Sequence, residues 1–150
     1  MTDVTDVPDP TAGDLLGWLN ARAAGTLVER LGIEFLEAGP DGVVARMPVS
    51  GNTQFHGILH GGATAALAET VGSVAAGLHA GRDRTVVGVD LNVTHHRSAT
   101  TGHVTARTTT LHQGRRVASY DVVVTDEDDR RLCTARLTCM ILGDRTAAPG

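Results

Sequence analysis

The stretch that decides the fold is residues 54–73, QFHGILHGGATAALAETVGS. Behind the glycine pair Gly61 and Gly62, small apolar residues continue for several turns and point in nearly every direction around a helix. Because a helix that is apolar all round is a buried one, the rest of the chain must wrap around it. We predict a central helix from about Gly61 to Leu78, which ends near Gly77 and Gly81.

The chain on both sides of this helix alternates between apolar and polar residues, as strands do. Before the helix, the alternation surrounds a turn at residues 39–42, GPDG, which predicts a β-hairpin. After it come four more alternating segments, and in the first of these one apolar face is expected from Val87, Val89, Leu91 and Val93. The order ββα followed by four strands predicts an α+β fold, an antiparallel sheet with one helix at its centre.

The 150 residues fit one domain. We expect residues 1–11 to be a disordered N-terminus, residues 12–142 the domain and residues 143–150 a flexible tail. Within the domain, a first helix is predicted from about Ala12 to Arg30, broken near its end at Gly25. Cys133 and Cys139 lie on one face of the last predicted strand, too far apart to bridge, and are expected to be buried free thiols.

Composition excludes several classes of function. The formal charge is -4 and no stretch combines basic residues with aromatics, so we expect no nucleic-acid partner. All 13 residues counted as Lys+Arg are arginines, which excludes a Schiff-base lysine, a pyridoxal phosphate anchor and a P-loop lysine. No apolar run approaches a membrane span and the first residues lack the pattern of a signal peptide, so we expect a cytoplasmic protein that does not bind membranes.

Glu69 is the one carboxylate on the central helix. A glutamate on a buried helix needs a partner or a chemical task, and the task of a general base is one possibility. Ser73 follows one turn later on the same face, where its hydroxyl could orient a water molecule or the carboxylate. The alternative is a glutamate at a subunit interface that is hydrogen-bonded and inert.

The first turn of the central helix offers a second chemical group. Its unpaired N–H groups carry partial positive charge, and the small Gly61 lets a developing oxyanion approach them. Eight residues separate Gly61 from Glu69, about 12 Å of helix rise, which is too far for both to act on one carbonyl. If both groups are catalytic, they must come from two antiparallel copies of the helix, which predicts at least a homodimer.

The sequence contains two motif blocks, one in residues 54–73 and one in residues 87–99. The first is Gln54-x-x-Gly57-x-Leu59-His60-Gly61-Gly62 followed by Leu67-Ala68-Glu69-x-x-Gly72-Ser73, and the second is Val87-Gly88-x-x-x-Asn92 followed by His95-x-Arg97-Ser98-Ala99. The chain resembles the hotdog-fold acyl-CoA thioesterases of the PaaI-like branch from about Leu31 to Leu142. The resemblance implies a hotdog fold, hydrolysis of an acyl-CoA substrate without a cofactor, and two dimers that form a homotetramer.

The resemblance also implies roles for individual residues. Glu69 would be the general base or the nucleophile, with Ser73 assisting it. Gln54 of the opposite subunit and the Gly61 N–H would polarise the thioester carbonyl, and His60 would help to position this group. The substrate-binding residues would be Gly62 beside the oxyanion site, His95 by the acyl pocket, and Arg97 and Ser98 near CoA. Because the chain has no lysine, arginines must meet the nucleotide phosphates, and the candidates are Arg97, Arg115 and Arg116.

The resemblance and the composition leave several alternatives open. Relatives carry proline and phenylalanine where this chain has Phe55 and His56, which changes the loop bordering the acyl site. An aromatic acyl group is implied by the resemblance, yet an aromatic content of only 3% could equally give a pocket for aliphatic chains. The thiol carrier could be an acyl carrier protein, or the chain could bind acyl-CoA without hydrolysing it.

Two other chemistries are less consistent with the sequence. The histidine pairs His56/His60 and His95/His96 suggest a metal, but neighbouring strand residues point to opposite faces and the motif loop has no acidic or cysteine ligand at suitable spacing. No metal site is therefore predicted. A hotdog hydratase would need an aspartate and a histidine in a different motif, which this sequence lacks.

Overall fold

The computed structural model describes residues 13–144. The predicted disordered N-terminus, residues 1–11, and most of the predicted tail lie outside these residues. The elements are α1 (Leu15–Ala21), α2 (Leu27–Arg30), β1 (Glu34–Gly39), β2 (Gly42–Pro48), α3 (Gly61–Ala80), β3 (Arg84–His95), β4 (His103–Gln113), β5 (Val117–Thr125) and β6 (Arg131–Asp144). The last strand continues two residues beyond the predicted end of the domain.

The six strands form one antiparallel sheet in the order β1-β2-β4-β5-β6-β3. Helix α3 lies against one face of this sheet and contacts all six strands. This confirms the predicted α+β class and the hotdog arrangement of a sheet around a central helix. Strands β1 and β3 form the two edges, so β3 has one side without a strand partner within the described chain.

The core lies between α3 and the inward-facing side chains of the sheet. The predicted inward face of β6 is confirmed, since its five members are all buried: Cys133, Ala135, Leu137, Cys139 and Ile141. Both cysteines are free, as expected. Burial raises the pKa of the Cys133 thiol to about 11, so this thiol is protonated at neutral pH. Among residues 13–144, no helix is long and apolar enough to cross a membrane.

The predicted first helix is two helices. Gly25 adopts a left-handed φ of 74°, which ends the α1 region, and Thr26 then caps α2 by accepting the N–H of Val28 at 3.2 Å. The sequence placed the break correctly, because glycine is the residue that adopts this conformation without steric cost.

The predicted apolar face of β3 is wrong. A β-bulge between Gly88 and Asp90 shifts the register of β3 against β6, so the alternation is interrupted there. Leu91 and Val93 pack against the core, whereas Val87 and Val89 are 40% and 55% exposed. The edge strand therefore carries apolar side chains on the side that the core does not cover.

Two glycines inside α3 provide a matched test of helix packing. Gly77 has nothing within 4 Å of the position a Cβ would take, so Gly77→Ala should raise the free energy of unfolding by about 0.5–1 kcal/mol through helix propensity. At Gly72 the same Cβ would lie 2.5 Å from Leu137 Cδ2, so Gly72→Ala should lower that free energy by about 1–3 kcal/mol. Urea unfolding at fixed protein concentration measures both, and equal effects of the two variants would contradict this packing.

Candidate active site

The loop before α3 is held by backbone hydrogen bonds. Gln54 N–H donates to Ile58 O at 2.9 Å, and Gly57, at a left-handed φ of 76°, donates to Gln54 O at 3.0 Å. The buried Asn52 anchors the start of the loop by donating to Leu31 O at 2.7 Å and to Pro48 O at 2.9 Å. The loop therefore presents the Gln54 side chain from a fixed backbone.

The orientation of the Gln54 amide follows from one contact. Its Oε1 accepts a hydrogen bond from the backbone N–H of His56. A backbone N–H can only donate, so the oxygen must face it and the NH2 group must face away. Gln54 thus has donors left for another acceptor.

His60 caps the N-terminus of α3. Its Nδ1 accepts the N–H of Gly62 at 2.8 Å, so in the neutral ring the proton lies on Nε2. A Cβ at Gly62 would lie 3.0 Å from this ring, which explains a small residue there. The N–H of Gly62 is used by His60, and Gly62 is not among the residues that line the cleft described next.

A cleft of about 370 Å³ opens at this N-terminus. Five of the predicted site residues line it together, namely Gln54, Gly61, His95, Arg97 and Ser98. The His95 ring lies so near the helix that a Cβ at Gly61 would be 2.8 Å from its Nε2. The absence of a side chain at Gly61 therefore lets an imidazole and the first turn of α3 share one site.

The cleft also has walls that the sequence did not identify. These residues are Ile58, Leu59, Thr64, His96, Leu132 and Cys133. Cys133 reaches the site because it pairs with His95 across β3 and β6, and Leu132 O accepts the His96 N–H at 2.7 Å. The pairing of β3 with β6 brings His96, Leu132 and Cys133 to the cleft, and a single sequence does not reveal its register.

Glu69 lies outside this cleft. It is half-buried on α3, two turns beyond Gly61, and its carboxylate rests against the backbone of Gly88 in β3. Ser73, one turn further, shares a hydrogen bond with the buried thiol of Cys139. Burial, followed by the negative charge of Glu69, raises the pKa of Cys139, while the bond to Ser73 opposes the rise. One chain thus carries a donor site and a carboxylate site at two separate places.

Arg115 and Arg116 line a different groove. This groove measures about 750 Å³ and includes Arg84, Met140 and Leu142. It lies at the C-terminal end of α3, where His79 Nε2 is 3.0 Å from Gly114 O. Because α3 spans 20 residues, about 30 Å, these arginines and the cleft of the same chain are at opposite ends of the helix.

Comparisons with known proteins show similarity to one family. The profile of the family described as "Thioesterase superfamily" matches residues 56–133. The proofreading thioesterase EntH of Cronobacter turicensis is 46% identical over 126 residues, which cover 83% of this chain and 92% of the relative. EntH of Klebsiella pneumoniae is 48% identical over 131 residues, covering 85% and 94%.

A solved structure is also similar. The crystal structure of a thioesterase from Haemophilus influenzae superposes with a TM-score of 0.82 at 39% identity, covering 85% of this chain and 90% of that one. Its similarity spans the described sheet and central helix together.

Proposed function

Because this chain belongs to the thioesterase superfamily and is a thioester hydrolase, we propose that its substrate is an acyl-CoA with an aromatic acyl group. The observation that carries the proposed mechanism of hydrolysis is the division of the site. Gln54 and the first turn of α3 line a cleft with free donors, and Glu69 lies two turns away. Each half supplies one of the two groups that thioester hydrolysis requires.

In the proposed reaction the thioester oxygen accepts hydrogen bonds from the Gln54 amide and the Gly61 N–H. Both donors are fixed before the substrate binds, Gln54 through its bond to His56 and the helix N-terminus through the His60 cap. Preorganised donors stabilise the charge that develops on oxygen in the transition state. Glu69 either activates a water molecule or attacks the carbonyl carbon directly, and CoA leaves as the thiol.

The two halves meet in a dimer about the open edge of β3. In one chain Gly61 contacts His95 near one end of β3, and Glu69 contacts Gly88 further along the same strand. If two β3 strands pair antiparallel about a twofold axis near residues 91–92, residue 95 of one subunit lies opposite residue 88 of the other. Each Gly61 would then lie beside the catalytic carboxylate of the partner subunit. The exposed Val87 and Val89 would then lie close to this new interface.

The same arrangement suggests how CoA is held. Arg97 lines the cleft, so it is placed to contact the CoA part of the substrate. In this dimer the C-terminal half of the partner's α3 would extend past Gly61. The partner's groove, which corresponds to Arg84, Arg115 and Arg116 of this chain, would therefore lie just beyond the mouth of the cleft. We assign this groove to the nucleotide phosphates. Two dimers are proposed to form the tetramer, and the two free thiols fit the cytoplasm.

Phe55 supports the aromatic acyl group. Its ring is fully exposed and follows directly on Gln54, whose side chain lines the cleft. Pairing of this ring with an aromatic acyl group would contribute about 0.5–1.5 kcal/mol. An aliphatic acyl group at the same place would gain only the free energy of burying apolar area against the ring.

Thiol release from a panel of aromatic and aliphatic acyl-CoAs tests the substrate class. We expect kcat/KM to be about two- to tenfold higher for the aromatic esters, and Phe55→Leu to reduce this ratio while leaving hydrolysis of aliphatic esters unchanged. A preference for aliphatic esters in the wild type would contradict the aromatic assignment. Binding of CoA esters without any thiol release would instead indicate a non-catalytic module.

A further inference from the structure

The carboxylate of Glu69 occupies the space where a side chain at position 88 would be. The three heavy atoms nearest to a Cβ built at Gly88 all belong to Glu69. That Cβ would overlap Oε1 and lie 3.1 Å from Cδ and 3.5 Å from Oε2. The Glu69 carboxylate thus packs directly against the backbone of β3.

The backbone conformation does not explain this glycine. Gly88 lies within β3 and is not one of the described glycines with a left-handed φ. Glycine inside a strand weakens it, since it has no side chain to pack and loses more backbone entropy on folding. The contact with Glu69 explains why position 88 is a glycine, because any side chain there would overlap the carboxylate.

We propose that Gly88 is a positioning residue that fixes the Glu69 carboxylate by leaving it room against the β3 backbone. This inference rests on the proposed function, in which Glu69 acts on the thioester. Any side chain at position 88 would displace the carboxylate from this position. We call Gly88 and its cross-strand partner Cys139 the carboxylate seat, or seat.

Cys139 forms the second wall of the seat. It pairs directly with Gly88 across β3 and β6, so both residues face α3 from the same side of the sheet. Its thiol is fully buried and shares a hydrogen bond with Ser73. Burial and the nearby Glu69 both raise the pKa of this thiol, so it stays neutral and places no second negative charge beside the carboxylate.

The β-bulge completes the seat. Residue 89 is the extra residue between the pairs Gly88–Cys139 and Asp90–Thr138, so the strand bends at the point where the carboxylate rests. Bulges next to active sites re-aim the groups around them. Here the bulge lets Gly88 face α3 while Leu91 and Val93 still pack on the core.

A thermal unfolding cycle tests the seat without reference to activity. Gly88→Ala is compared with the wild type, and Glu69→Ala/Gly88→Ala with Glu69→Ala. Because the added methyl group forces the end of the Glu69 side chain to move, the change in Tm caused by Gly88→Ala should be less favourable in the wild type than after Glu69 is truncated. Equal shifts in the two backgrounds would overturn the proposal.

Kinetics then test the positioning role. Gly88→Ala should lower kcat by about tenfold or more with little change in KM, because a displacement of the base of about 1 Å is costly to turnover. Gly39→Ala, which adds the same methyl group to a glycine of β1 with nothing within 4 Å of its Cβ position, is the control and should keep wild-type kcat. If Gly88→Ala keeps wild-type kcat while Glu69→Gln is inactive, the positioning role is overturned and the proposed function stands. If Glu69→Gln is itself fully active, both are overturned.

Discussion

Glu69→Gln is expected to lower kcat for acyl-CoA hydrolysis by about a hundredfold or more. The amide has the shape of the carboxylate and can still rest against Gly88, but it can neither accept a proton from water nor attack the carbonyl. Thiol release at saturating substrate measures the effect, with circular dichroism and gel filtration showing that fold and assembly match the wild type.

Ser73→Ala is the matched control for Glu69→Gln. Ser73 lies on the same face of α3 as Glu69, and its replacement removes the hydrogen bond to Cys139 but leaves the carboxylate in place. The loss of kcat in Ser73→Ala should therefore be clearly smaller than that in Glu69→Gln. A Glu69→Gln enzyme within threefold of the wild type would contradict the assignment of Glu69. In the wild type, oxygen-18 that appears in the Glu69 carboxylate after a single turnover in labelled water would identify Glu69 as the nucleophile instead of the base.

The Gln54→Glu variant should also lose about a hundredfold in kcat. Its carboxylate oxygen can still accept the His56 N–H, so the loop before α3 keeps its hydrogen bond. The donors that face the cleft are gone, and a negative charge stands where the oxyanion would form. The expected readout is a fall in kcat at unchanged Tm.

Gln54→Ala separates the two functions of this side chain. It removes both the bond to His56 and the cleft donors, so we expect a fall in kcat similar to that of Gln54→Glu, accompanied by a lower Tm. If Gln54→Glu turned over aromatic acyl-CoA at the wild-type rate, the amide would not be an oxyanion donor, and the first turn of α3 would have to act alone.

Much of the fold could be predicted because one element determines it. The all-round apolar surface of residues 61–78 requires a sheet that covers it, and the alternating segments on both sides supply the strands. The turn at residues 39–42 and the break at Gly25 were also predictable, since glycine marks both. The β3 face was predicted incorrectly because a bulge leaves no clear mark in a sequence whose apolar alternation continues through it.

The candidate site was only partly predictable for a related reason. Motif residues before and within α3 are close in sequence, so helix geometry alone separated Gly61 from Glu69. By contrast, Leu132 and Cys133 reach the cleft through pairing between β3 and β6, and Gly88 reaches Glu69 through packing of α3 on β3. Such pairings join residues far apart in the chain, and a single sequence does not contain their register.

The separation of donors and carboxylate within one chain makes subunit complementation the most direct test of the account. Glu69→Gln and Gln54→Glu subunits, each inactive alone, are coexpressed with different tags, and the mixed population is assayed for thiol release. Random pairing gives one intact site in each mixed dimer, so we expect roughly a quarter of the wild-type activity per subunit. Activity no higher than the mean of the two single variants would show that both groups act within one chain.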